Sequence, residues 1–133
     1  MNVVLDTNVF ISGIFWEGNY CSQIINLWKN KAFTLVSSVD ILDELVETLD
    51  SFKIKLPESM ILSWKSAILE NSVLVHPKKK LDVIKDDSDD NKFLEAAIAG
   101  NATLIISQDK HLLNLKEFQE IKIVTPKQAL SLL

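Results

Sequence analysis

Five short apolar runs, Val3–Leu5, Phe33–Val36, Val73–Val75, Leu104–Ile106 and Ile121–Val124, recur along the chain with longer amphipathic stretches between them. Runs this short and apolar at nearly every position read as strands buried on both faces. The intervening stretches have helical spacing. Tyr20, Cys21, Ile24, Ile25 and Trp28 share one face of a helix over Tyr20–Asn30, and Ile41, Leu42, Leu45, Val46 and Leu49 do the same over Val39–Leu49. Glu58–Asn71, Asn91–Ala99 and Lys127–Leu133 complete the helical set. Ser37 or Ser38 can cap the helix at Val39, and Thr125 with Pro126 can start the last one. Gly100 is suited to closing the helix before it in the left-handed conformation. Strands alternating with helices need right-handed crossovers, so the expected fold is an α/β/α sandwich around a mainly parallel sheet.

With 133 residues, 47% of them hydrophobic, and no repeat or Pro/Gly-rich linker, residues 1–133 read as one domain. Cys21 is the only cysteine, which excludes an internal disulfide and a zinc cluster and suits a reducing compartment. The chain shows no leader pattern and no apolar run approaching the roughly 20 residues of a spanning helix, so the expectation is a cytoplasmic protein without a membrane partner. All 14 basic residues are lysine, which removes guanidinium clamps and arginine fingers from the available mechanisms. A net charge of −4 also argues against a general nucleic-acid binder, unless the acids gather around a cation.

In an open parallel sheet the ligand site lies beyond the carboxyl ends of the strands. Asp6 closes the first run, and Asp109 follows the fourth in Ser107-Gln108-Asp109. Asp86-Asp87-Ser88-Asp89-Asp90 precedes a helix that runs antiparallel to the next strand, so its start lies at the same edge and Asp90 can face Asp6 and Asp109. The helix over Val39–Leu49 starts at that edge too. It carries Asp40, Asp43, Glu44 and Glu47, and periodicity does not choose among them.

Clustered carboxylates repel and raise one another's pKa values unless a cation compensates. An oxygen-only donor set without histidine suits Mg²⁺ or Mn²⁺, ions that bridge to phosphates and activate water. Setting aside Asp6, Glu44, Asp90 and Asp109 leaves 14 acids against 14 lysines, so the net acidity resides in the candidate site.

These residues carry a resemblance to the PIN-domain family of metal-dependent nucleases, in particular to the VapC-like toxins of bacterial and archaeal toxin–antitoxin pairs. Asp6-Thr7-Asn8 resembles the opening motif, Ser38–Leu45 with Glu44 the second, Asp87–Leu94 with Asp90 the third, Ser107-Gln108-Asp109 the fourth, and Thr125-Pro126 the start of the closing helix. Ser88 and Ser107 stand where this branch often has proline and threonine. The resemblance spans the chain, keeps motif order, and selects Glu44 and Asp90 as the second and third acids. It implies a five-stranded parallel sheet, Mg²⁺ or Mn²⁺ held by Asp6, Glu44, Asp90 and Asp109, and cleavage of single-stranded RNA. It also implies a small antitoxin protein as partner, and a homodimer fits it. Asn8, Asp87 and Ser107 are expected in supporting roles, the last as a hydroxyl orienting Asp6 and Asp109.

Plainer readings exist. Asp6 and Asp90 can each cap the helix that follows, and Glu44 can be a solvated helix residue. Trp28 and Trp64 fit a core or dimer face, and Trp16 a loop where it stacks a base or packs on a partner. His76, His111 and Lys78-Lys79-Lys80 read as surface. Two rival functions are a catalytically silent PIN-like binding or scaffold module and a Mg²⁺-binding phosphoacceptor receiver. The receiver needs an acid at the end of the third strand, where Val75-His76-Pro77 stands. A phosphatase with an aspartyl nucleophile needs an acid in place of Asn8.

Overall fold

The computed structural model describes residues 1–133. In chain order the elements are β1 (Asn2–Leu5), α1 (Thr7–Phe15), α2 (Tyr20–Lys29), β2 (Thr34–Ser38), α3 (Val39–Ser51), α4 (Glu58–Glu70), β3 (Ser72–Val75), a 3₁₀ turn (Ser88–Asp90), α5 (Asn91–Ala99), β4 (Leu104–Ile106), α6 (Lys110–Leu113), β5 (Glu117–Phe118), β6 (Ile121–Val124) and α7 (Pro126–Leu130). No helix is long and apolar enough to cross a membrane.

The strands form one sheet in the order β3-β2-β1-β4-β6-β5. Every pairing is parallel except that of β5 with β6. Strand alternation divides the core. Val3, Leu5, Leu35, Leu104 and Ile106 face α1, α2, α3 and α4 on one side, while Val4, Val36, Ile105 and Ile123 face α5 on the other. Both faces are therefore buried, as uniformly apolar strands require.

The sheet has six strands rather than the expected five. Glu117–Phe118 returns along Ile121–Val124 through Gln119 and Glu120, whose φ values of 48° and 69° make a two-residue turn with both central residues left-handed. That geometry normally selects Asn-Gly or Asp-Gly, and Gln-Glu carries no such signal. Helix α1 also begins directly after β1, and α6 is a single turn that periodicity does not reveal.

Gly100 differs from its expected role. Its φ is −99°, an ordinary negative value open to any residue, and the left-handed residue is Asn101 at 52°. Glycine is required there for space: a Cβ would lie 2.4 Å from Val36 Cγ1 and 3.2 Å from Val75 Cγ1. Helix α5 thus ends hard against β2 and β3, which fixes how far its first turn reaches over the opposite edge of the sheet. Ser38 is the cap of α3, accepting from Ile41 N at 3.3 Å, and Thr125 and Gln128 form a reciprocal capping box on α7.

The chain winds outward from β1 through β2 to β3, then returns to the other side of β1 to lay down β4 and β6. Strand order reverses between β1 and β4, which is where an open α/β sheet forms its crevice. Leu5 pairs with Ile106, so Asp6 and Ser107 leave the sheet side by side at that point.

Candidate metal centre

Asp6 is 3% exposed at the exit of β1. Its backbone N–H extends the sheet ladder to Ile106 O at 3.0 Å. Its Oδ1 accepts from Asn8 N at 3.0 Å, capping α1, and its Oδ2 accepts from the Ser107 hydroxyl. Burial pushes the Asp6 carboxyl above its ordinary range; the Ser107 and Asn8 hydrogen bonds lower it again, and the charges of Asp109 and Glu44 raise it. The capping reading of Asp6 is therefore true of one oxygen and does not use up the group.

Ser107 also accepts from Asp109 N at 2.9 Å, so a single hydroxyl ties the carboxylate leaving β1 to the backbone leaving β4. Asp109 in turn caps α6, its Oδ1 accepting from His111 N at 2.7 Å. Asn8 meets Asp6 only through its backbone N–H, and the residue itself is exposed.

Asp90 ends the 3₁₀ turn before α5. Its side chain caps nothing, the residue is 8% exposed, and Oδ2 is a buried oxygen without a hydrogen-bond partner. Leaving such an acceptor unsatisfied is costly, more so for a charged group. Burial, and then the charges of Asp109, Asp87, Asp6 and Glu44, push its carboxyl up to about 7. Oxygens of Asp87, Asp90 and Asp109 lie within 4.8 Å of one another. Asp87 thus belongs to the tightest group of acids, closer in than its expected supporting rank.

The segment that delivers Asp87 and Asp90 is pinned by Asn91. Its Oδ1 accepts from Val83 N and Ile84 N at 3.0 and 2.9 Å, and its Nδ2 donates to Ile84 O and Ser88 O at 2.9 and 3.0 Å. Glu95 holds the same segment one turn further along, accepting from Leu81 N at 2.9 Å. An amide with all its near bonds made to one loop fixes the loop's shape. Sequence reasoning missed Asn91, although an asparagine directly after a run of aspartates is the available signal.

Glu44 comes from α3 on the far wall of the cleft. Its Oε1 accepts from Lys92 Nζ at 2.6 Å and its Oε2 from the Thr7 hydroxyl. Lys92 and Thr7 were also missed, though both lie inside the motifs quoted above. Of the other singled-out residues, Trp28 is buried edge-on to Phe10 with its N–H donating to Asn71 O at 3.0 Å, and Trp64 lies half-buried beneath Lys29. Trp16 is exposed beside Phe15 and Phe52.

The donor set fits a hard divalent ion: carboxylate oxygens converge, one of them is buried and orphaned, and no histidine or thiol joins them. Together the doubly covered, mainly parallel sheet and the acidic crevice at its switch point define an α/β protein with a candidate cation site. Residues 2–111 match the family model described as PIN domain, and the chain belongs to the PIN domain family, whose members are generally metal-dependent nucleases. It is 31% identical over 144 residues to "Uncharacterized protein MJ1680" of Methanocaldococcus jannaschii, across 96% of this chain and 88% of that protein. In fold it is similar to a chain of VapBC2 from Rickettsia felis, solved bound to a DNA fragment from their promoter. That superposition has a TM-score of 0.62 at 18% identity and covers 94% of this chain and 98% of the other, a likeness of fold.

Proposed function

We propose that this protein is a metal-dependent endoribonuclease acting on single-stranded RNA, the VapC-like toxin of a toxin–antitoxin pair. The observation that carries the reading is the buried Asp90 carboxylate with its unpartnered Oδ2, set against Asp87 and Asp109 at the switch point of the sheet. Asp90, Asp109 and Asp87, with Asp6 beside them, would hold Mg²⁺ or Mn²⁺, and Glu44 forms the opposite wall. Bound there, such an ion supplies a polarised water and offsets the negative charge that develops at a phosphodiester.

The chain's own part is positioning. Ser107 holds Asp6 and the Asp109 backbone in one register, and Asn91 fixes the loop that presents Asp87 and Asp90. Preorganised in this way, the acids need no rearrangement when a cation arrives. The cleft opens at a sheet edge among loops and helix starts, which a single strand enters more readily than a duplex does. The chain contains no arginine, so contacts to the RNA backbone fall to lysines. The family and the fold likeness support a small antitoxin protein as the partner that restrains this activity.

The test is incubation of the purified protein with labelled single-stranded RNAs in Mn²⁺, in Mg²⁺ and in EDTA, with Asp6→Asn in parallel. Cleavage that requires the ion and disappears in the variant is the expected result. RNA left intact with both ions across several sequences, or equal cleavage by the variant, would overturn the reading in favour of a PIN-like binding module.

A further inference from the structure

The acids of the cleft are unevenly neutralised. Glu44 meets an ammonium at 2.6 Å, whereas Asp6, Asp87, Asp90 and Asp109 take part in no ion pair. The Lys92–Glu44 pair is also unlike the other lysine–carboxylate pairs of the molecule. Its side chains are 16% and 31% exposed, against 83% and 63% for Lys80–Asp40 and 70% and 74% for Lys85–Asp82. Exposed pairs of that kind contribute little, while a shielded, close pair is a fixed part of the local field.

The position of Lys92 carries a further argument. It lies on the first turn of α5, where the helix dipole disfavours a cation. A lysine placed there needs a carboxylate to hold it, and Glu44 is that carboxylate. Because Lys92 follows Asp90 by two residues on the same turn, its ammonium is tethered to the element that supplies the orphaned oxygen. A compact, strongly hydrated ammonium is the side chain closest in charge and size to a hard ion. Beyond it opens a groove of about 450 Å³ whose lining includes Asp43, Glu44, Glu47 and Asp89 together with Lys92. Lys80 also lines that groove but pairs with Asp40 at 3.7 Å, so without Lys92 Glu44 would have no cationic partner.

We propose that Lys92 is a resident cation. It occupies the glutamate side of the cleft, makes Glu44 its positioning partner, and limits the protein to one divalent ion, held on the aspartate side. The proposal rests on the reading of the cleft as a cation site.

The test is titration of the metal-free protein with Mn²⁺, followed by electron paramagnetic resonance of the free ion and by calorimetry. The wild type is expected to take up one Mn²⁺ per chain. Glu44→Gln is expected to leave that affinity within about 3-fold, while Asp90→Asn weakens it by about 100-fold or more. Lys92→Met is expected to bind a second Mn²⁺, Lys92→Arg to remain at one, and the double variant Lys92→Met/Glu44→Gln to return to one. Two ions in the wild type would overturn the proposal, as would one ion in a folded Lys92→Met protein or equal losses from Glu44→Gln and Asp90→Asn. Should Lys92→Met not fold, the Glu44→Gln and Asp90→Asn pair decides alone. No Mn²⁺ uptake by the wild type would instead overturn the underlying reading of the cleft.

Discussion

On one wall of the cleft Glu44 accepts from Lys92 at 2.6 Å and from the Thr7 hydroxyl; on the other, Asp87, Asp90 and Asp109 converge within 4.8 Å without an ion pair among them. Both walls bring carboxylates out of bulk water, and each such charge carries a desolvation cost. The glutamate wall meets that cost from within, through a lysine on the neighbouring helix. The aspartate wall meets only part of it, through Ser107 and the backbone N–H groups of Asn8 and His111, and leaves Asp90 Oδ2 with nothing. A perturbed, uncompensated carboxylate in a cleft marks a candidate functional site.

The comparison can be broken most severely by removing a charge from the aspartate wall. Asp6→Asn keeps the side chain's size and the cap on α1, and is expected to lower RNA cleavage by about 10³-fold or more, the scale of several kcal/mol of lost charge stabilisation. A loss below about 10-fold in a gel-based cleavage assay would show that the wall is not chemical. Next in size is Ser107→Ala. It removes the donor to Asp6 and the acceptor for Asp109 N, and is expected to weaken Mn²⁺ binding by about 10–100-fold while the fold persists. Unchanged affinity by calorimetry would remove Ser107 from the positioning set.

The aspartate wall also predicts a pH dependence. The Asp90 carboxyl is raised from an ordinary 3.8 to about 7, so the folded protein binds a proton there through that window while the unfolded chain does not. Its contribution to stability is full below the unfolded value and is lost as pH rises toward 7. In EDTA, Asp90→Asn is therefore expected to stabilise the protein at about pH 8 by about 1–2 kcal/mol and to do less at about pH 5, as measured by urea unfolding. A variant no more stable than the wild type at the higher pH would contradict the account of Asp90 as an uncompensated acid. The smallest effect sharpens the contrast from the other side. Lys85→Ala breaks an exposed pair with Asp82 and is expected to change unfolding free energy by less than about 0.5 kcal/mol. A larger change would mean that exposure does not separate this pair from Lys92–Glu44.

Much of the fold was legible because its central strands β1, β2 and β4 are buried on both faces. Val3–Leu5 and Leu104–Ile106 leave no polar alternation to confuse with an exposed sheet, and the helices between them keep a clear apolar stripe. The β5–β6 hairpin was not legible, since Gln119 and Glu120 adopt a left-handed turn without the residues that usually announce one. Gly100 was legible as a helix end but not for its reason, because the close approach of Val36 is a contact between elements distant in sequence. In the site, Asp6, Asp90 and Asp109 could be placed at one edge from strand direction and helix direction alone. Glu44 could be singled out only by resemblance, since Asp40, Asp43 and Glu47 share its helix and its exposure pattern does not set it apart in sequence.

By itself, then, the sequence determined the alternation of buried strands and amphipathic helices, the mainly parallel sheet, and the convergence of several acids at its carboxyl edge. These follow from periodicity and chain direction, which are local properties. Tertiary structure alone decided which oxygens have partners: that Ser107 serves Asp6, that Asp87 joins Asp90 and Asp109, that Lys92 has taken Glu44, and that Asp90 Oδ2 is left over. Those outcomes depend on distances of a few ångströms between residues up to 101 positions apart, and hydrogen bonds and ion pairs weaken steeply over such distances.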